Sequence, residues 1–270
     1  MPRSECAAVS LADVSSANIV GYNTLTLNKE YTLLTVNFEK TGGGEIGINE
    51  AFPFTEGMTC AIADSTADMI QVMNDAGDYD MYFLSNGHYG KGGASFKPAV
   101  SNTWVSTSKS TNPETTTDTL AVGKTFWYLS RKGAAGESHS ITVAGQVSTA
   151  EKEEYVLNKE YTLIGCPFPC EVAINGGIEV DGATCAIADS TADMIQIMTA
   201  TGDYNMYYLS NGHYGKGGAS FKPAVSNTWV STSKSTNPES TTDKFPVGGG
   251  AWYLSRSQNG KIKFINPIGK

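Results

Sequence analysis

The 270-residue chain carries 27 Asp and Glu against 19 Lys and Arg, a formal charge of −8 with a pI near 4.9. That is the wrong sign for wrapping phosphates, so nucleic acid and anionic membrane surfaces are poor partners. An apolar fraction of 40%, with 29 Gly and 10 Pro in no triplet period, argues against collagen, coiled coil and disorder, and no apolar run approaches the roughly 18 residues of a membrane span.

The first 18 residues read as an arm. "MPRSECAAVSLADVSS" resembles the tail of a secretory signal whose apolar stretch is too short to work, and no counterpart precedes the second half of the chain. Its weakly apolar residues, Cys6, Val9, Leu11 and Val14 among them, suit a strand added to an exposed sheet edge, in its own subunit or a neighbour's. Strand-length runs follow: "NTLTL" and "YTLLTVNF" around "NKE", then "MIQVM" and "YDMYFL" flanking "NDAGD". The capping-box-like Ser65–Asp68 allows a helix at "MIQVM", but Met69, Gln71 and Met73 alternate with Ile70 and Val72, which favours a strand. Asn-Gly doublets at 86–87, 211–212 and 259–260 predict type I′ hairpin turns, the last joining "AWYLSRSQ" to "KIKFI". "TFWYLSR" and "SITVAGQV" close the first half, and the polar run from Ser148 to Glu154 reads as a connection.

The strongest signal is a repeat. The segment from Thr59 to Asp118 recurs from Thr184 to Asp243 with 7 differences in 60 positions, and "LNKEYTLL" returns as "LNKEYTLI" at lower surrounding identity. A unit of about 125 residues is one domain's worth. The expected fold is all-β: an arm (1–18) and two tandem sandwich or barrel-like domains, 19–150 and 151–270.

Chemistry is sparse. The histidines are His88, its repeat equivalent His213, and His139, and no Ser or Cys stands in a nucleophile elbow, so an enzyme is not expected. "GHYGKGGAS" lacks the Gly-Lys-Ser/Thr and the helix of a phosphate loop. Asp75, Asp78 and Asp80 suit Ca²⁺, yet the second copy reads Ala200, Asp203 and Asn205, so a polar hairpin loop explains both and no metal or cofactor is expected. Trp104, Trp127, Trp229 and Trp252, with Tyr79, Tyr82 and Tyr89, are candidates for sugar stacking if exposed; in "FWYLS" Trp127 takes one strand face and Phe126 and Tyr128 the other. Five cysteines are an odd number. Cys185 is expected to pair with Cys170 or Cys166 and Cys6 with Cys60, against the alternative of reduced, buried thiols.

"TLAVGKTFWYLSRKG…SITVAGQV" followed by "YVLNKEYTLIGCPFP" resembles the β-rich repeat modules of secreted bacterial surface and fibre proteins. That resemblance implies an extracellular structural or adhesive role at the cell surface and carries over no functional residue. Independently, two near-identical domains offer the same patches twice, so a surface joining one to the other is also able to join successive chains head to tail into a filament. The expectation is a self-assembling filament or surface-layer subunit whose partner is itself, with strand exchange by the arm; the alternative is a tandem carbohydrate-binding or adhesin module whose partners are glycans.

Overall fold

The computed structural model describes residues 20–28, 30–74, 76–90, 93, 95–133, 137–214, 220–258 and 260–268. The arm with Cys6, Val9, Leu11 and Val14, its strand exchange and the Cys6–Cys60 pairing lie outside them.

The first copy runs β1 (Val20–Asn28), β2 (Glu30–Thr35), β3 (Ile46–Gly47), β4 (Met69–Met73), β5 (Tyr79–Tyr89), β6 (Ser95–Ser106), β7 (Thr119–Leu120), β8 (Thr125–Ser130) and β9 (Ser138–Gln146). The second runs β10 (Lys152–Leu157), β11 (Glu160–Gly165), β12 (Val172–Ala173), β13 (Ile178–Asp181), β14 (Met194–Met198), β15 (Tyr204–Tyr214), β16 (Ser220–Ser231), β17 (Lys244–Phe245), β18 (Gly250–Ser255) and β19 (Gly260–Ile265). Each copy builds a five-stranded antiparallel sheet of the same order, β2-β8-β4-β5-β6 and β11-β18-β14-β15-β16. A smaller sheet lies against each: β1-β9 in the first copy, and β10-β19-β13 in the second. The fold is all-β and its sheets are open, so the barrel alternative drops out.

Period-two alternation decides what lies between the sheets. In β8, Phe126 and Tyr128 are fully buried while Trp127 is half-buried on the opposite face. Leu25 and Leu27 of β1 and Ile141 and Val143 of β9 close on Ile70, Val72, Leu84, Trp104 and Phe126, and each such side chain taken from water contributes about 1.5–3 kcal/mol. "MIQVM" is strand β4, and it forms the expected hairpin with β5, Met73 opposite Tyr79.

Two turn expectations are corrected. Asn86-Gly87 is no hairpin turn: β5 runs through it, and the register with β6 shifts there in a bulge, as at Asn211-Gly212. Gly87 has φ +87°, and a Cβ there would meet the Phe96 ring and the Lys97 carbonyl, so the doublet serves a left-handed bulge residue under close packing. Asn259 lies outside the described residues, but β18 and β19, which flank it, belong to different sheets and are not paired, so they form no hairpin.

The copies meet through a reciprocal junction. Thr35 N–H donates to the Gly248 carbonyl at 2.8 Å, Leu34 bridges Gly249, and β2 packs on β18 as β11 packs on β8. Gly248 lies against Leu25, and its equivalent Gly123 lies against Tyr155, the equivalent of Leu25. At the centre equivalent positions face each other, Thr35 against Gly165 and Thr125 against Gly250. Equivalent positions thus meet about a pseudo-two-fold axis, with a threonine of the first copy set into the space left by a glycine of the second.

Candidate association surface

The near-identical half of each copy is locked from inside. Asp68 is fully buried, and its carboxylate accepts hydrogen bonds from Tyr128 Oη (2.8 Å), Arg131 N (2.6 Å) and Thr59 N (3.1 Å). Asp193 repeats the arrangement with Tyr253 Oη and Arg256 N, both at 2.8 Å. Burial raises the Asp68 carboxyl above the usual carboxylate value, and the three donors pull it part of the way back. These carboxylates pin the 59–68 and 184–193 segments to the sheets and face no cleft.

The glycine-rich hairpin end is also self-satisfied. His88 Nδ1 lies 2.8 Å from the Gly93 carbonyl and its ring packs on Phe96; Lys97 Nζ donates to Asn112 Oδ1 at 2.6 Å beside the Tyr89 ring. In the acidic loop Asp75 lies outside the described residues, while Asn74 Oδ1 accepts from Ala76 N and Asp78 N, which closes the turn. Among the described residues no cluster of three or more His, Cys, Asp or Glu side chains is arranged to hold a metal ion.

Cys60, Cys166, Cys170 and Cys185 stand as free thiols, so the structure lends no support to the pairing expected for Cys185 with Cys170 or Cys166. The tertiary structure gives the sulfurs other partners. Cys185 Sγ donates to Asn227 Oδ1 at 3.2 Å, as Cys60 Sγ does to Asn102 Oδ1 at 3.3 Å, whereas Cys166 Sγ donates to the Phe168 carbonyl at 3.4 Å. Burial, with a smaller contribution from Asp68, pushes the Cys60 thiol up to about 11, and burial pushes Cys166 up to about 12. At pH 8 only about one Cys60 in a thousand is then thiolate. Iodoacetamide at pH 8 is expected to label Cys60 and Cys166 in urea but leave both unmodified in the native protein over the same time, as read by peptide mapping. Fast native labelling would contradict this burial.

Of the aromatic candidates, Trp104, Trp229 and Tyr82 are buried, Tyr82 donating to Asp118 Oδ2 at 2.8 Å. Trp127 and Tyr79 belong to the outward face of the first five-stranded sheet. Cross-strand register aligns Leu33, Trp127, Gln71 and Met81 in one row, with Tyr31 and Met73 beside it. Tyr31 stands edge-on to Trp127 at 83° and accepts from Gln71 Nε2 at 3.3 Å. The second copy repeats the row as Leu163, Trp252, Gln196 and Met206 with Tyr161. Tyr31 and Met81 are 43% and 38% exposed, Tyr161 and Met206 51% and 40%, and no residue of either row is charged. Sequence reasoning missed Tyr31, Gln71 and Met81; the available signal was their period-two spacing with Leu33, Met73 and Tyr79.

The other outer edge is guarded. Lys97 and Pro98 stand in β6, and Thr115 bridges Val105 and donates to the Ala99 carbonyl, both devices that discourage strand addition. Among the described residues no helix is long and apolar enough to cross a membrane. No protein-family model, curated protein or solved structure matches the chain.

Proposed function

We propose that the chain is a self-assembling structural protein of the extracellular or cell surface, a filament or surface-layer subunit built from two β domains (19–150 and 151–270) that arose by internal duplication. The observation that carries this reading is the uncharged Tyr-Trp-Gln-Met row present once on each copy, its Tyr and Met exposed and its Trp and Gln half-buried. A junction that is reciprocal within one chain is used up there, so it offers no free end for head-to-tail growth. Association falls to the two outward rows. A subunit with two copies of a self-complementary face propagates without closing on itself. Methionine and aromatic side chains supply the adaptable, desolvatable contact such a face needs. The low share of charged residues, 17%, and the resemblance to secreted surface modules support the extracellular placement.

Placing a charge on an exposed position tests the faces without disturbing the core. Met81→Lys or Met206→Lys alone is expected to stop growth at dimers, and the double variant to give monomers, by light scattering and negative-stain microscopy. Filaments from the double variant, or a monodisperse wild-type protein at every concentration, would overturn the proposal. The exposed aromatics favour glycan binding as the second reading, but the edge-on Tyr31–Trp127 pair offers no coplanar platform. A monodisperse wild type that binds a glycan array would establish that alternative. Deleting residues 1–16 tests the arm separately.

A further inference from the structure

The two copies differ sharply at one place inside their otherwise matching cores. In the first, the indole Nε1 of Trp104 donates to the Phe52 carbonyl at 2.7 Å, and Met58, just ahead of Thr59-Cys60, is buried in the core. In the second, "INEAF" has become "INGGI" and Met58 has become Ala183. The segment is drawn instead into β13, which pairs with β19. Both the carbonyl acceptor and the methionine side chain are gone.

A cleft of about 350 Å³ stands there, lined by Ile174, Ile178, Val180, Leu209, Cys185 and Trp229 among others, with no charged residue in its lining. Trp229 is 4% exposed and lines this cleft, and its Nε1 has no protein acceptor among the described residues but still reaches solvent in the cleft. A donor that opens onto a cleft is satisfied by water until a ligand oxygen takes the water's place with an equivalent hydrogen bond. The volume lies in the range of small-molecule sites, which are mostly apolar with a few fixed polar groups.

We infer that this cleft binds a small uncharged molecule combining an aliphatic or aromatic body with a carbonyl oxygen, the body filling the space of the missing methionine and the oxygen accepting from Trp229 Nε1. The first copy supplies the template, with the Met58 side chain and the Phe52 carbonyl standing where the ligand's body and oxygen would lie. The inference is independent of the association proposed above.

The probe is N-acetyl-methionine N-methylamide, added to the ¹⁵N-labelled full chain. Its four Trp side chains give four indole signals, and Trp229→Phe identifies the relevant one. A saturable shift of the Trp229 signal with the Trp104 signal unmoved is expected. Ala183→Met, which restores the residue of the first copy, is expected to abolish the shift. Trp229→Phe keeps an aromatic side chain but removes the donor, and is expected to weaken binding about tenfold, followed by the Ile174 and Ile178 methyl signals. No saturable shift at any probe concentration, equal movement of Trp104, or undiminished binding by both variants would overturn the site.

Discussion

Asp68→Ala is expected to lower the stability of the first copy by about 2–4 kcal/mol, because it leaves the buried Tyr128 hydroxyl and the part-buried Arg131 and Thr59 amides without their acceptor. Urea unfolding measures it, and the melt should split, since Asp193 still holds the equivalent segment of the second copy. A loss under 1 kcal/mol would show that water replaces the carboxylate. Asp68→Asn is milder, since one amide oxygen still accepts. The variants also isolate a pH effect. Burial sets the folded-state value of Asp68 above that of the unfolded chain, so the folded state holds this proton more tightly. The resulting contribution is fully present below the unfolded value and is lost as pH rises through the raised folded value. Asp68→Asn removes that decline, and an unchanged pH profile would assign it elsewhere.

Gly165→Thr is expected to open the junction between the copies. A Cβ at Gly165 falls on the Thr35 side chain, and one at Gly250 on Thr125 and Leu33, so the second copy is hollowed where the first is filled. Overpacking of this kind costs about 1–3 kcal/mol and, at an interface, separation relieves it. Small-angle scattering should show a longer molecule, and limited proteolysis should cut between residues 148 and 154. Thr35→Gly added to Gly165→Thr exchanges knob for hollow and should restore the compact form. A neutral Gly165→Thr, or a swap that rescues nothing, would mean that the contact at the two-fold centre does not hold the copies together.

The repeat, the β class and most strands were legible in the sequence, since alternation at Met69–Met73 and Thr125–Ser130 states which side chains face a core. The Asn-Gly doublets misled because left-handed backbone is needed equally by a hairpin turn and by a bulge. Which of the two occurs at Gly87 depends on the Phe96 ring across the strand. Pairing Cys185 with Cys166 or Cys170 rested on sequence proximity, which says nothing of the direction in which Asn227 draws the thiol.

The row of exposed residues was half visible: Trp127 could be placed on a face, but its neighbours Gln71 and Met81 come from other strands, and register alone brings them together. The geometry of association was out of reach for the same physical reason. Duplication establishes by sequence alone that each copy carries the same patches, and hence that any association surface is present twice. Whether the patch that joins the copies is consumed or left free depends on the rotation between them. That rotation is decided by the long-range contacts of Thr35 with Gly165 and Gly248, between residues that local pattern cannot connect.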